Sequence, residues 1–323
     1  MSSYLQTVEQ VYAEAARAPD AELCCVQAAP WRFPDLRIPS VMLAMNYGCG
    51  CTVDPRDLRD GATVLYVGVG GGLEALQFAY LTRRPGGVIA VDPVADMRHK
   101  ARANFEEAAQ LNPWFRPDFV TLLDGNALDL PVPDQSIDVV AQNCLFNVFT
   151  TTDLEKALSE VARVLRIGGL FATSDPITPA PLPPDLTSDE QLRARCLSGC
   201  QTLPDYLGLL TQAGFGKVEV RARFPYRYLH PADHPALSEG ILLESVEVAA
   251  YKVPDTAAGP AIFTGRTATY IGAETSWRDP HTGFVFRRGI PMSISDAAAT
   301  RLSATPEFLV TAPTFAVKGG GCC

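Results

Sequence analysis

Nine cysteines are the first residues in this sequence that suggest chemistry: Cys24, Cys25, Cys49, Cys51, Cys144, Cys196, Cys200, Cys322 and Cys323. Most stand in close pairs, and an odd number leaves at least one without an internal disulfide partner. Each alone reads as a small core residue. As a set they read as thiolates, soft donors suited to soft metals and metalloids. Structural zinc is one such centre, but it favours closely spaced cysteine pairs in a closed tetrahedron. Only Cys196 and Cys200 fit that spacing, and no histidine lies near any pair. The other is a soft trivalent centre held by a pyramid of thiolates, whose lone pair stays free to attack an electrophile.

These thiols need elements to position them. Over 62–175 the chain alternates short apolar runs with longer amphipathic ones. Strands are expected over 62–69, 87–92, 119–123, 137–142 and 169–174, the last after a Gly-Gly stop. Helices are expected over 72–81, 94–110 and 153–165, with Asp153 as N-cap. This pattern implies βαβ units and a parallel sheet. Right-handed crossovers then bring the strand C-termini to one rim, where ligands bind. Beyond a Pro-rich patch at 178–185, expected as the one disordered stretch, helices are read over 189–199 and 204–213. Strands over 217–224 and 244–253 would close the sheet antiparallel. A linker over 254–260 leads to a small β-leaning tail. The domains expected are 1–61 (N-terminal helix and cysteine-bearing lid), 62–253 and 254–323. Cys144 then falls just past strand four, on the rim. Cys196 and Cys200 share a helix face at i and i+4, and Cys49 and Cys51 precede strand one.

Composition narrows the partners. Hydrophobic residues are 47% and charged residues 20% of 323, which is ordinary for a globular protein. A net charge of −9 with no basic run argues against nucleic acid. The first twenty residues place Leu5, Val8, Val11, Tyr12 and Ala15 at helical spacing and have no signal-peptide core. No run reaches membrane-spanning length. A cytoplasmic location is expected, where thiols stay reduced.

Strand one runs into Gly68-Val69-Gly70-Gly71-Gly72, and Asp92 ends strand two, 24 positions beyond Gly68. The glycines allow a tight turn and close approach of a ligand. A carboxylate at Asp92 can accept both hydroxyls of a ribose. A Gly-rich turn alone is a weak signal. Three further segments strengthen it: 124–131 (DGNALDLP), 133–140 (PDQSIDVV) and 164–170 (VLRIGGL). In order and spacing they resemble the class I methyltransferases, which use S-adenosylmethionine (SAM). The resemblance implies an α/β, Rossmann-like doubly wound sheet with a lid-like N-terminal segment, joined here to a small C-terminal β-rich domain. It implies SAM along Gly68, Gly70 and Gly72, its ribose on Asp92 and its adenine near Met97, Asn126 and Ala127. Tyr47 would cover it, and Asn143 would join the cofactor set. Two positions depart from the family: Tyr66 replaces the usual acid before the first glycine, and Asn126 stands where Asp is common.

Four segments resemble the arsenite SAM methyltransferases: Leu23-Cys24-Cys25-Val26, Tyr47-Gly48-Cys49-Gly50, Gln142-Asn143-Cys144-Leu145-Phe146-Asn147 and Cys196-Leu197-Ser198-Gly199. This resemblance implies that Cys49, Cys144 and Cys196 bind As(III). It implies that Cys24 or Cys25, in uncertain register, joins a disulfide relay. Thioredoxin or glutathione is the implied reductant. The tail, ending Gly319-Gly320-Gly321-Cys322-Cys323, resembles the branch associated with arsenosugar biosynthesis; its terminal thiols read either as an arsenic-capturing tether or as an incidental end. Two rivals are a methyltransferase for a small organic acceptor, which needs a His or acidic base over the pocket, and a non-catalytic thiol protein that binds metalloids.

Overall fold

The computed structural model describes residues 3–21, 23–24, 30–257 and 259–313. Helices α1 (Ser3–Arg17) and α2 (Ser40–Ala44) precede the sheet. Strands β1 (Val64–Val67), β2 (Val88–Asp92), β3 (Val120–Asp124), β4 (Ile137–Asn143) and β5 (Leu165–Thr178) are mutually parallel. Helices α3 (Leu73–Thr82), α4 (Ala95–Leu111) and α5 (Thr151–Val164) connect them. Leu65, Val67 and Val140 pack into one apolar layer, while Val64, Tyr66, Val139 and Ala141 pack into the other. Burial on both faces is what an interior parallel sheet requires, and it explains the near-continuous apolar runs.

After α6 (Pro184–Thr187), α7 (Glu190–Ala194), β6 (Gln201–Thr202) and α8 (Leu203–Gln212) come two long strands, β7 (Lys217–Leu229) and β8 (Ile241–Tyr251). With β9 (Ala261–Phe263) the strand order is β3-β2-β1-β4-β5-β8-β7-β9, with β6 beside β5. The antiparallel closure expected from the sequence is present, β8 pairing antiparallel with both β5 and β7. The remainder forms a separate small core around Tyr270, Phe286 and Phe308. There β10 (Thr267–Tyr270) lies between β13 (Pro291–Ser293) and β14 (Phe308–Val310), near the hairpin β11 (Ser276–Arg278) and β12 (Val285–Arg287) and helix α9 (Asp296–Ser303). Among the described residues no helix is long and apolar enough to cross a membrane.

Several expectations change. Thr150, not Asp153, caps α5; its hydroxyl accepts the Asp153 N–H, which places Asp153 in the first turn. The Gly168-Gly169 pair does not begin a strand, because β5 runs straight through it. The Pro-rich patch is ordered: Leu182 is buried and Pro184 opens α6. The tail does not begin at 261, since β9 pairs with β7 and extends the main sheet. The helix read over 189–199 stops at Ala194, so Cys196 and Cys200 do not share a helix face. Cys25 and the terminal Cys322-Cys323 lie outside the described residues.

Candidate functional site

At the C-terminal ends of β1 to β4 lies a cavity enclosing about 850 Å³ of empty space, its open mouth included. Gly68 and Gly70 line it with φ of +81° and +50°, the left-handed region that glycine enters without steric cost. A Cβ at Gly70 would meet nothing within 4 Å, so backbone conformation alone demands glycine there. Gly72 serves the core instead, since its Cβ would stand 2.8 Å from the Phe105 ring. Met97 is likewise buried in α4 and off the cavity wall.

Asp92 faces the cavity at the end of β2 and is only 6% exposed. The Val94 N–H donates to it at 2.9 Å and the Gly70 N–H at 3.5 Å. Burial pushes its carboxyl up to about 6, against the pull of those N–H donors. Asn126 and Ala127 also line the cavity, and the Asn126 side chain accepts the Leu128 N–H at 2.7 Å. Tyr47, Asn143 and Cys144 complete the expected lining. Sequence reasoning expected a lid from the N-terminal segment but named none of the α1 residues that line the cavity: Leu5, Val8, Glu9 and Tyr12. The signal was the helical spacing of Leu5, Val8 and Tyr12. The Tyr66 hydroxyl donates at 3.0 Å to the buried Glu74 on α3.

The thiols gather at one end of this cavity around Cys144. Cys24 Sγ is 3.2 Å from Cys144 Sγ, and Cys196 Sγ donates to the Cys144 carbonyl at 2.6 Å. Cys144 also engages the Cys49 and Cys196 thiols. Cys49 Sγ lies 3.4 Å from Ser174 Oγ, and the Tyr226 hydroxyl is 3.4 Å from Cys24 Sγ and 3.9 Å from Cys144 Sγ. All four cysteines are buried and none is in a disulfide. Among the described residues no group of three His, Cys, Asp or Glu is spaced to hold a metal ion. The sulfurs are packed on one another, so a bound atom must part them.

The backbone at the two central cysteines is unusual. Cys144 and Cys196 have φ of +58° and +59°, a region costly for residues with a Cβ. At Cys196 the cause is a helix stop. The Leu197 N–H reaches back to the Leu192 carbonyl at 3.0 Å and the Cys196 N–H to Arg193 at 2.9 Å. This is a Schellman motif with Cys196 at the position glycine usually fills. Backbone strain of this kind clusters at functional sites.

The thiols differ in acidity. Burial holds Cys49 above its ordinary value, and burial with its thiol neighbours holds Cys144 well above. The Cys144 thiol pulls Cys196 down, but burial together with the charges of Cys24 and Asp175 leaves it raised. Cys24 alone is lowered, by its bond from Cys144 and by Tyr226 and Arg227, against the penalty of burial. It is the member that most readily becomes thiolate. Cys200 turns to the Cys196 carbonyl and Asn147, and the half-buried Cys51 lines a different cavity beside Trp31 and Arg221.

A family model described as a methyltransferase domain matches residues 65–173. An arsenite methyltransferase of Halobacterium salinarum is 34% identical over 176 residues, which is 54% of this chain and 43% of that protein. One from Aquipseudomonas alcaligenes is 31% identical over 199 residues, covering 59% and 55% respectively. The chain thus spans about half the length of these curated relatives. The crystal structure of an arsenic(III) S-adenosylmethionine methyltransferase from Chlamydomonas reinhardtii superposes with a TM-score of 0.60 at 23% identity, covering 87% of this chain and 96% of that one. This last likeness is one of fold.

Proposed function

We propose that the chain, whose residues 65–173 match a methyltransferase-domain model, is an arsenite methyltransferase that transfers methyl groups from SAM to thiol-bound As(III). The observation that carries this reading is the gathering of Cys24, Cys49 and Cys196 around Cys144, itself on the wall of the cofactor cavity. The residues fit the cofactor. Asp92 is a buried carboxylate facing the cavity and held by backbone N–H groups, which suits ribose hydroxyls. The open space at Gly70 allows backbone contact with a ligand. Bound there, the cofactor would supply an electrophilic methyl group.

The chain's part is to bind and aim the substrate. As(III) arrives as a thiol adduct and exchanges its thiols one at a time. Cys24, the one of the four gathered thiols whose acidity is raised, makes the first attack, because exchange needs a thiolate. Cys49, Cys144 and Cys196 then hold arsenic through three sulfurs with its lone pair directed into the cavity. Positioning of this kind supplies several kcal/mol or more. No general base is required. Gain of a methyl cation equivalent oxidises arsenic from III to V. Two electrons return when the Cys24 thiolate, in this reading, attacks the arsenic-bound sulfur of Cys144: the S–S bond forms as the As–S bond breaks, its electron pair stays on arsenic, and the Cys24 proton has gone to solvent. Thioredoxin or glutathione, the cytoplasmic dithiol and thiol reductants, reopens it. The supply of methylated arsenic to arsenosugar synthesis rests on the likeness of the C-terminal segment.

The decisive experiment incubates the purified chain with SAM, As(III) and a thiol reductant, and separates arsenic species over time. Methylated arsenic supports the reading, and the product series shows where methylation stops. Unchanged arsenite from protein that demonstrably binds SAM would move the reaction to an organic acceptor, with Glu9 on the cavity wall as the first base to test.

A further inference from the structure

The loop that carries Cys49 has no helix or strand over 48–52, yet side-chain oxygens hold five successive backbone N–H groups. Gly48 N–H donates to Asn46 Oδ1 at 3.1 Å, and Cys49 and Gly50 donate to Asn143 Oδ1 at 2.9 and 3.4 Å. Cys51 N–H donates to Glu247 Oε1 at 2.8 Å, and Thr52 N–H to Glu74 Oε1 at 3.0 Å. Glu74 is the anchor of this set. Its Oε2 accepts the Thr52 hydroxyl at 2.6 Å and the Tyr66 hydroxyl at 3.0 Å, and its Oε1 also accepts Asn143 Nδ2 at 3.1 Å. Asn143 Nδ2 in turn donates to the Gly50 carbonyl at 2.8 Å. There is no slack: a Cβ at Gly48 would stand 2.4 Å from Asn143 Nδ2.

We propose that Glu74 is a positioning residue: through Asn143 it holds Cys49 against Cys144, and so sets how many protein sulfurs As(III) receives. The inference rests on the arsenite reading above. A buried carboxylate is costly unless its lone pairs are filled, and here four donors fill them. An apolar residue at the same place on α3 would leave the Thr52 N–H and hydroxyl, the Tyr66 hydroxyl and Asn143 Nδ2 without this acceptor. What such a residue would lose is the tie between the glycine-loop helix and the thiol loop. Tyr66, at the position where the family carries an acid, hands its hydroxyl to this carboxylate, so the acidic group stands on α3 rather than on β1.

The test compares wild type with Glu74→Leu, Glu74→Gln and Thr52→Val, after thermal melts show which are folded. X-ray absorption of the As(III) complex counts sulfurs, and timed alkylation with mass spectrometry reads the exposure of Cys49 without arsenic. Glu74→Leu is expected to drop the count from three sulfurs to two with one oxygen, to weaken As(III) binding about tenfold, and to speed Cys49 alkylation. Glu74→Gln is expected to restore both, because its carbonyl accepts the two N–H donors and its amide donates to a hydroxyl. Thr52→Val leaves the Asn143 arm intact and should keep three sulfurs. Three sulfurs and a protected Cys49 in Glu74→Leu would overturn the proposal, as would Glu74→Gln or Thr52→Val behaving like Glu74→Leu. If wild type itself binds no As(III), the arsenite reading fails, while the alkylation comparison still decides the clamp.

Discussion

One wall of the cavity, with Gly68, Gly70, Asp92, Asn126 and Ala127, comes from the loops that follow three successive strands of a parallel sheet. Beside it stands a thiol wall, in which Cys24, Cys49 and Cys196 gather around Cys144, the one of the four that lines the cavity, from four segments that meet nowhere in sequence. The first wall uses backbone geometry that glycine adopts freely. The second places cysteine where glycine would be easier, at φ near +58°. A generic cofactor wall can thus be cheap and local. A soft-centre wall must override local preference, because it needs sulfur at set points whatever the backbone prefers.

The largest effects should fall on the thiol wall and leave the cofactor wall alone. Cys144→Ser and Cys196→Ser are each expected to cut methyl transfer by at least about a thousandfold, since ligands that act as a unit fail together. Calorimetric titration should show SAM binding retained in both. Wild-type turnover in either variant would remove that cysteine from the ligand set.

The cofactor wall has its own signature in pH. Asp92 must be ionised to accept two hydroxyls well, and burial lifts its carboxyl to about 6 in the empty site. Affinity for SAM should be full above pH 6 and decline as pH falls through 6, by up to about tenfold per unit. Asp92→Asn should bind weakly with no such slope. An unchanged slope in that variant would assign the titration elsewhere.

The strain can be weighed directly. Cys196→Gly and Cys196→Ala remove the same sulfur and differ in the Cβ. At an ordinary helical position alanine is the more stable by about 1 kcal/mol. At φ of +59° the order should reverse, with glycine ahead by about 1 kcal/mol. Urea unfolding of the pair measures it, and alanine ahead of glycine would mean that the turn carries no strain.

The two walls were also unequally legible. The cofactor wall could be read because each functional residue sits within a few positions of a strand end that its own apolar run announces. Two of the residues expected there, Gly72 and Met97, do not line the cavity, and packing against Phe105 and the core sets their side of the chain. The thiol wall was readable as a set of residues but not as a shape. Two adjacent cysteines offer no local reason to choose a register, and only long-range packing sets Cys24 beside Cys144. The apolar pattern over 189–199 suits a helix, and the Schellman turn that ends it depends on backbone bonds that cysteine does not advertise. The clamp joining Asn46, Glu74, Asn143 and Glu247 spans most of the methyltransferase fold and has no sequence signature.

The smallest effect expected is the sharpest check on where the thiol wall ends. Cys51 and Cys200 each sit near a matched cysteine in sequence, and spacing alone gives them equal claim to arsenic. Geometry separates them. Cys200 bonds to the Cys196 carbonyl and lies beside Asn147, while Cys51 bonds to the Val53 carbonyl; neither reaches the Cys144 sulfur that joins the other three. Cys51→Ser and Cys200→Ser are therefore expected to methylate arsenite within about twofold of wild type, the range of a change outside the working contacts. A loss in either approaching that of Cys144→Ser would extend the working thiols beyond the four gathered sulfurs and make the wall a path along which arsenic moves.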